Sequence, residues 1–366
     1  MKIECTKNKL LQAVSKVEKI TSKHPTLPVL RCVLIEAKNG NVILRSTNLE
    51  LGIEVKVPAK VYTEGVVAVP ANILYSFISQ VSEDGSVVLE VSEKNLIVSS
   101  SGSKAVINAY NYEDFPTLPV VPKEKTFKIH AKDLVKGFKS VWYAASISSM
   151  KPELASVYVY GDESEVCFVA TDSFRLAEKK IYTKKLREIG AILIPFKSVI
   201  EIVRIIEDVS EEIEVNLTKN QISFSFSTTY ITSRVVEGVF PDYKQIIPKE
   251  FTTEVVVLKQ DIVQALKLAT IFSDAFHQVS IKVDPSKKLF EISTRNTEVG
   301  EHVHSLSAAI SGEPVAINFN FKYIVDCFQS VEADSVSLQF NGLNRPMVVR
   351  GVSDGSFTYL VMPMNK

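Results

Sequence analysis

The sequence predicts an α+β protein built from three tandem repeats, each of them a doubled βαβββ unit. The first observation is a fixed period, because Pro70, Pro195 and Asn320 lie 125 residues apart at the ends of three similar apolar runs. The second is that "KNKLLQAV", "AKDLVKGF" and "KQDIVQAL" are three amphipathic helix starts of one pattern. The third is that runs rich in β-branched residues, separated by short turns, fill the rest of each repeat. Three copies of about 122 residues therefore account for the whole chain.

The first repeat gives the order of the elements. A short strand, Lys2 to Cys5, leads into the first helix, whose apolar residues recur at helical spacing. Three strands are predicted around Val33 to Ile35, Val42 to Ser46 and Leu51 to Val57, because β-branched residues dominate there and turns such as "KNGN" separate them. A second strand and helix, Val66 to Gln80, precede the strand-like runs "SVVLEVS", "NLIVSS" and "KAVINAY". Each domain thus has two predicted helices and about eight strands.

The two joins between repeats predict the domain boundaries. "LPVVPKEKTFKI" and "IIPKEFTTEV" both contain Pro-Lys-Glu, and a proline cluster followed by charged residues is typical of a linker. We therefore place the domains at 1–121, 122–247 and 248–366.

The composition is that of an ordinary globular protein, with 46% hydrophobic and 23% charged residues. The N-terminus, "MKIECTKNKLLQ", lacks the apolar core of a signal peptide, and no stretch approaches the roughly 18 apolar residues of a membrane span, so we expect a cytoplasmic protein. The cysteines have no metal-binding or disulfide spacing and are expected to be small buried residues. We predict no cofactor and no metal. The four cysteines are Cys5, Cys32, Cys167 and Cys327.

The chain is neutral, with 42 Lys and Arg against 42 Asp and Glu, but its first helices are basic. Lys7 adds to the charge of the first helix of the first repeat. In the first helix of the second repeat, Lys132, Lys136 and Lys139 follow an i, i+4, i+7 spacing opposite the apolar stripe. On any single helix, solvated lysines are the simpler interpretation, whereas recurrence in all three favours a surface for a polyanion. Phosphate contacts of this kind bind without sequence preference. The candidate DNA-facing lysines are Lys9, Lys16, Lys19, Lys132, Lys136, Lys139 and Lys267.

No catalytic residues can be assembled from motifs, because the sequence has no P-loop, GxSxG or HExxH. His302 and His304 in "EHVHS" lie on one face of a predicted strand, but no third metal ligand accompanies them. "ATDSFRLA" brings Asp172 and Ser173 together, and a turn after a strand needs both residue types for its own backbone hydrogen bonds. A hydrolase or nuclease acting at either place is one hypothesis, and a surface strand with an ordinary turn is the preferred interpretation.

The internal repeat, the basic first helices, "TDSFRLA", "FPDYKQIIP" and the terminal "VMPM" together resemble the bacterial DNA sliding clamps, the beta subunits of DNA polymerase III. "HPTLPVL", His24 to Leu30, is similar to the N-terminal signature of that family, and the match extends over the whole chain. The resemblance implies the DNA clamp fold and a head-to-tail dimer, closed into a ring of six domains around duplex DNA. It adds His24 to the DNA-facing residues. It also implies Ile107, Ile271 and Phe272 as dimer-interface candidates, for which interior packing is an equal alternative.

The resemblance further implies an apolar groove for short peptides, formed by the C-terminal tail, the "TDSFRLA" turn and the "FPDY" segment. Ser173 and Phe174 stand where the family usually has Gly and His, Gln245 stands where Arg is frequent, and the chain ends in Asn365 and Lys366, so partner affinity is expected to differ. Two alternative roles for Arg175 carry equal weight: it binds a peptide carbonyl, or it anchors the turn. The implied groove residues are Leu154, Thr171, Ser173, Phe174, Arg175, Leu176, Pro241, Ile246, Val361, Met362, Pro363 and Met364.

The function implied is a processivity factor, an accessory subunit of a DNA polymerase holoenzyme with no chemistry of its own. The implied partners are double-stranded DNA, the catalytic subunit of the replicative polymerase, the clamp loader, repair polymerases, mismatch repair proteins and a second copy of the chain, with no membrane involved. The alternative is a non-enzymatic peptide-binding scaffold whose basic helices never meet DNA.

Overall fold

The computed structural model describes residues 1–21, 27–81, 85–161, 164–183 and 190–364. These residues form two compact units, one of residues 1–132 and 197–235 and the other of residues 133–196 and 236–366. None of the described helices is long and apolar enough to cross a membrane.

The first third of the chain contains two α-helices and nine strands among its described residues. The predicted strands are confirmed, while β5 was not predicted, because it is a four-residue edge strand with mostly exposed side chains. The elements are β1 (Lys2–Thr6), α1 (Lys7–Glu18), β2 (Cys32–Lys38), β3 (Asn41–Thr47), β4 (Leu51–Val57), β5 (Lys60–Thr63), β6 (Gly65–Pro70), α2 (Ala71–Gln80), β7 (Ser86–Ser92), β8 (Asn95–Ser100) and β9 (Ser103–Asn108).

The last third repeats this order, and the middle third repeats it without a counterpart of β5 among its described residues. The middle third has β10 (Lys125–His130), α3 (Ala131–Lys139), β11 (Ser156–Gly161), β12 (Glu165–Thr171), β13 (Arg175–Tyr182), β14 (Ile192–Pro195), α4 (Phe196–Ile206), β15 (Glu212–Leu217), β16 (Gln221–Phe226) and β17 (Thr229–Arg234). The last third has β18 (Thr253–Leu258), α5 (Lys259–Ile271), β19 (Gln278–Asp284), β20 (Leu289–Asn296), β21 (Gly300–Ser305), β22 (Ala309–Gly312), β23 (Val315–Asn320), α6 (Phe321–Cys327), β24 (Ser335–Phe340), β25 (Met347–Gly351) and β26 (Phe357–Val361).

The strands form four antiparallel sheets. The first unit contains a sheet of order β5-β1-β7-β8-β9 and one of order β10-β15-β16-β17-β4-β3-β2-β6, while the second contains β14-β11-β12-β13-β26-β25-β24-β18-β22 and β21-β20-β19-β23. Each of the two larger sheets joins strands of two repeats that are far apart in the sequence. In one, Leu51 of β4 lies opposite Ser233 of β17; in the other, Arg175 of β13 lies opposite Val361 of β26. Because two sheets are shared between repeats, the compact units divide the middle repeat, and the three domain boundaries stay a prediction.

The helices cover the sheets through close contacts. α1 buries Leu10, Val14 and Val17, as its pattern predicts. In α3, the rings of Phe138 and Phe168 meet edge to face with centroids 5.2 Å apart. Gly137 permits this contact, because a Cβ atom there would lie 2.4 Å from the Phe168 ring.

The four cysteines are buried and form no disulfides. Burial raises the pKa of the Cys5 and Cys32 thiols to about 12. Their role as small buried residues is confirmed.

Candidate functional site

The turn between β12 and β13 is held by its own side chains. The Thr171 hydroxyl donates to the Arg175 carbonyl (2.6 Å), and Asp172 Oδ1 accepts from the amides of Phe174 (2.9 Å) and Arg175 (3.0 Å). Ser173 adopts a left-handed φ of 78°, which a glycine would adopt more easily. The carboxylate of Asp172 thus serves the backbone of the turn, and the preferred interpretation of "ATDSFRLA" is confirmed.

Arg175 is anchored inside the second unit, with a side chain only 10% exposed. Its Nε donates to Asp172 Oδ2 (3.1 Å), and its Nη1 donates to the carboxylate of Asp326 in α6. The guanidinium also lies over the ring of Tyr323, 4.6 Å from the centroid. Burial alone lowers the pKa of Arg175, but the phenol of Tyr359 and the two carboxylates raise it above its ordinary value. Of the two roles predicted for Arg175, these contacts support the anchor of the turn.

The C-terminal tail continues this assembly. β26 pairs with β13, the Met362 amide donates to the Phe174 carbonyl (2.8 Å), and the Met364 amide donates to the Asn318 carbonyl (2.8 Å). Val361 is fully buried, whereas Met362 and Met364 are half-buried. Backbone hydrogen bonds therefore fix the apolar end of the chain beside the turn.

The "FPDY" segment packs on the same sheet as the turn and the tail. Phe240 and Tyr243 join a buried cluster with Leu176 and Leu360, which are opposite each other in β13 and β26. The Tyr243 hydroxyl donates to the buried carboxylate of Glu178. Burial and this hydrogen bond raise the pKa of Tyr243, so the hydroxyl stays protonated at neutral pH. The segment is thereby held next to the turn.

The structure places all twelve predicted groove residues in the second unit. It brings the turn, the tail and the neighbouring "FPDY" segment together through the contacts above, while the membership of the groove stays a prediction. Sequence reasoning missed Asp326, Tyr323 and Glu178, because no local pattern links positions so far apart in the chain. The groove residues that are buried are Leu154, Thr171, Leu176 and Val361; Arg175 is mostly buried, Met362, Pro363 and Met364 are half-buried, and Ser173, Phe174, Pro241 and Ile246 are exposed.

The predicted DNA-facing lysines differ in their surroundings. Lys16 is half-buried, donates to Thr229 Oγ1 (3.2 Å) and has a pKa lowered by burial. Lys19 donates to the Arg204 carbonyl (2.7 Å), and Lys136 pairs with Glu332 (2.7 Å). Lys139 also has a partner. The exposed members are Lys9, Lys132, Lys139 and Lys267.

Two basic residues differ from these lysines. Lys7, counted in the charge of the first helix, is only 5% exposed, so it adds no charge to the solvent-facing side of that helix. It lies at the first position of α1, directly after β1, where the helix meets the sheet. His24 lies outside the described residues.

The three predicted interface residues also differ. Ile107 in β9 is 5% exposed and lies inside the first unit, whereas its neighbour Val106 is 60% exposed. Ile271, at the end of α5, is 63% exposed. Phe272 stacks on His302 with ring centroids 5.8 Å apart. The burial of Ile107 therefore agrees with interior packing, one of its two predicted roles.

The histidine pair in β21 is stacked, with ring centroids of His302 and His304 6.0 Å apart. Within the described ranges, no group of three His, Cys, Asp or Glu side chains is placed to hold a metal ion. The geometry of this strand is that of ring packing.

Comparison with known families decides the relationship. Models of the N-terminal, central and C-terminal domains of the DNA polymerase III beta subunit match residues 1–119, 128–242 and 244–365. The chain belongs to this family. It is 28% identical to the beta sliding clamp of Synechococcus elongatus over 371 residues, covering 100% of this chain and 99% of that protein.

Solved structures agree with the fold. The DNA polymerase sliding clamp of Bacillus subtilis is 26% identical, with a TM-score of 0.94 over 100% of this chain and 99% of that one. The beta subunit of Thermotoga maritima, 24% identical over 100% of this chain and 99% of that one, has a TM-score of 0.95 and shares the fold. The chain therefore has the DNA clamp fold and the function of its family, a processivity factor of the DNA polymerase III holoenzyme that is not itself an enzyme. This relationship disfavours the hydrolase and scaffold hypotheses.

Proposed function

We propose that two copies of this chain close head to tail into a ring of six domains around duplex DNA, and that the groove beside the C-terminal tail binds peptides of the replicative polymerase. The match to all three domain models of the beta subunit supports the ring, and the tail, held against the Phe174 carbonyl by the Met362 amide, supports the groove. A closed ring retains DNA by topology, so weak contacts to phosphate are enough and allow sliding.

The groove suits several partners that bind one at a time. Phe174 and Ile246 present exposed apolar surface, and Met362 and Met364 add flexible, polarizable side chains that adapt to different ligands. The clamp loader, repair polymerases and mismatch repair proteins are the other proposed occupants. Arg175 acts as the anchor beneath this surface, so its contribution to peptide binding is to hold the turn in place.

The proposed DNA-facing surface consists of the first helices of the three domains, 1–121, 122–247 and 248–366. Lys9, Lys132 and Lys267 are the leading candidates for phosphate contacts, because their side chains are exposed. Lys16, Lys19 and Lys136 would first have to give up internal contacts, and Lys139 and His24 remain proposed members.

The proposed dimer contact involves the edge strand β9 of one protomer and the region of Ile271 and Phe272 in the other. Exposed Ile271 and Val106 offer apolar surface there. Ile107 supports β9 from inside. We place the protein in the cytoplasm, where it would meet the replication machinery.

Retention on DNA tests the ring. The protein is loaded with its clamp loader onto nicked circular DNA, and the retained fraction is measured after gel filtration, before and after linearisation. Loss on linearisation is the expected result, and equal retention on both forms would refute the ring. Phe174→Ala should reduce both loading and processive synthesis, because the clamp loader and the polymerase are proposed to share the groove, whereas the protein that does become loaded should stay on circular DNA as long as the unaltered protein. Leu343→Ala, a substitution of an exposed leucine outside the groove, is the matched control.

A further inference from the structure

The turn between β3 and β4 in the first unit is held by its own side chains. The Thr47 hydroxyl donates to the Leu51 carbonyl (2.9 Å) and accepts from the Leu49 amide (3.0 Å). Asn48 Oδ1 accepts from the amides of Glu50 (3.0 Å) and Leu51 (2.8 Å). Leu49 has a left-handed φ of 77°, which costs a leucine about 1–2 kcal/mol. Such a residue persists only where its surroundings hold it.

This turn reproduces the turn of the proposed groove atom by atom. The corresponding bonds from Thr171 to Arg175 differ by at most 0.3 Å, between 2.9 Å and 2.6 Å for the hydroxyl bond. The next strand is attached in the same way, because the Arg234 amide donates to the Glu50 carbonyl (2.9 Å) as the Met362 amide donates to the Phe174 carbonyl (2.8 Å). The fold therefore builds the same backbone frame twice.

The first frame borders a cavity of about 460 Å³, a size that ligand sites commonly have. Leu49, Pro116 and Leu118 give it apolar walls. The wall formed by 116–119 is held at both ends, because Phe115 packs in the cluster of Cys32 and the Tyr230 hydroxyl accepts from the Val121 amide (2.9 Å). The cavity is thus bounded by fixed elements of one unit.

A second wall presents hydrogen-bond donors. Gln221 and Arg234 lie opposite each other in β16 and β17, and both line the cavity. Arg234 is exposed, and no described residue engages its guanidinium in an ion pair or hydrogen bond. Thr232 also lines the cavity but is only 3% exposed, so its hydroxyl lies beneath this surface. A guanidinium beside an amide is suited to a carboxylate.

The side chains of the two frames differ in a way that sets specificity. Glu50 and Arg234 take the places that Phe174 and Met362 have in the second frame, as the matched amide-to-carbonyl bonds establish. Glu50 lines the cavity too, and its charge would repel a second acidic group. The ligand that fits therefore carries one carboxylate rather than several.

We propose that this cavity is a second peptide-binding groove, which takes an extended segment with one acidic side chain at Arg234 between apolar side chains at Leu49 and Leu118. An ion pair to a partly exposed arginine supplies specificity at a modest gain in affinity. The apolar walls supply the rest. Each protomer would then bind two segments of different chemistry at once, and the proposal does not depend on what the tail groove binds.

Methyl-resolved NMR of the full chain tests this. The probe is Ac-Gly-Leu-Glu-Leu-Gly-NH2, with Ac-Gly-Leu-Lys-Leu-Gly-NH2 as its charge-swapped control. We expect saturable shifts of the Leu49 and Leu118 methyl groups with the acidic probe, and binding of the control weaker by about fivefold. Shifts confined to the methyl groups of Met362 and Met364 would place the probe in the tail groove and refute the second groove.

Two variants complete the test. Arg234→Glu should reverse the preference between the two probes, and the same substitution at exposed Arg345, outside the cavity, should not. Leu49→Asn keeps a residue type that accepts a positive φ and should weaken binding of both probes. Equal binding of the two probes to the unaltered protein, or an unchanged preference in Arg234→Glu, would overturn the proposal.

Discussion

Replacing Arg175 by methionine removes the centre of the turn's side-chain contacts. The Arg175 side chain is 10% exposed, and its guanidinium bonds the carboxylates of Asp172 and Asp326, whose side chains are 15% and 41% exposed. A charge-assisted hydrogen bond to mostly buried Asp172 is worth about 1.5–3 kcal/mol. The bond to Asp326 contributes under about 1 kcal/mol, because water can replace it. The contact with the Tyr323 ring adds about 0.5–1 kcal/mol, so local stability should fall by about 3 kcal/mol.

Hydrogen exchange measures this loss where it occurs. The Met362 amide donates to the Phe174 carbonyl in the turn. The free energy of the local opening that exposes this amide to exchange should therefore fall by about 3 kcal/mol. The Arg234 amide, in the equivalent bond of the first unit, should be unchanged and serves as an internal control. Arg175→Lys keeps the charge but not the planar fork and should lose about half as much. A loss below about 1 kcal/mol at Met362 would refute the anchor role of Arg175.

Three further substitutions test the packing and the titration. Gly137→Ala places a methyl group 2.4 Å from the Phe168 ring and should lower the free energy of unfolding by about 1–3 kcal/mol in urea titrations; an unchanged midpoint would contradict the close contact. Tyr243→Phe leaves the buried Glu178 carboxylate short of a donor and should lower the same quantity by about 1–3 kcal/mol, whereas an exposed tyrosine changed to phenylalanine should not. Hydrogen bonds from β24 hold the pKa of Glu254 below its ordinary 4.5, so its ionised form stabilises the fold above pH 4.5, and this stabilisation is lost as the pH falls through the pKa of the folded state. Glu254→Gln should therefore flatten the acid side of the curve of unfolding free energy against pH, and an unchanged slope would contradict this expectation.

The repeat period predicted the elements well because strand and helix formation depends on local patterns. The predicted strands around Val33, Val42 and Leu51 are present. What the period could not predict is which strands pair across repeats, since the register of β4 with β17 depends on residues far apart in the sequence. The burial of Lys7 has a related reason: a helix pattern gives the spacing of residues but not the way the first turn meets its sheet.

The candidate site was predicted as a set of residues but not as a set of contacts. The turn's own bonds follow from Thr171 and Asp172, whose side chains satisfy neighbouring amides. The partner of Arg175 in α6 does not follow, because Asp326 has no local signature that distinguishes it from other exposed acids. The same limit applies to Lys16 and Lys19, whose expected solvent face is partly taken up by Thr229 and by the carbonyl of Arg204.

At equivalent positions of the repeats, a smaller residue in one repeat makes room for a larger neighbour. The first helix of the middle repeat has Gly137 where the first helices of the other two repeats have Ala13 and Ala265, and the large Phe168 ring occupies the space that a methyl group at 137 would need. Gly52 likewise stands where the second frame has Leu176, and Leu118 lies 2.6 Å from the position of its absent Cβ. In both cases a glycine replaces a larger residue, and a side chain from another element fills the space of the missing side chain. The two turns therefore keep the same backbone while the side chains around them differ. This is how one fold can present an apolar groove beside the β12–β13 turn and a cavity with charged residues beside the β3–β4 turn.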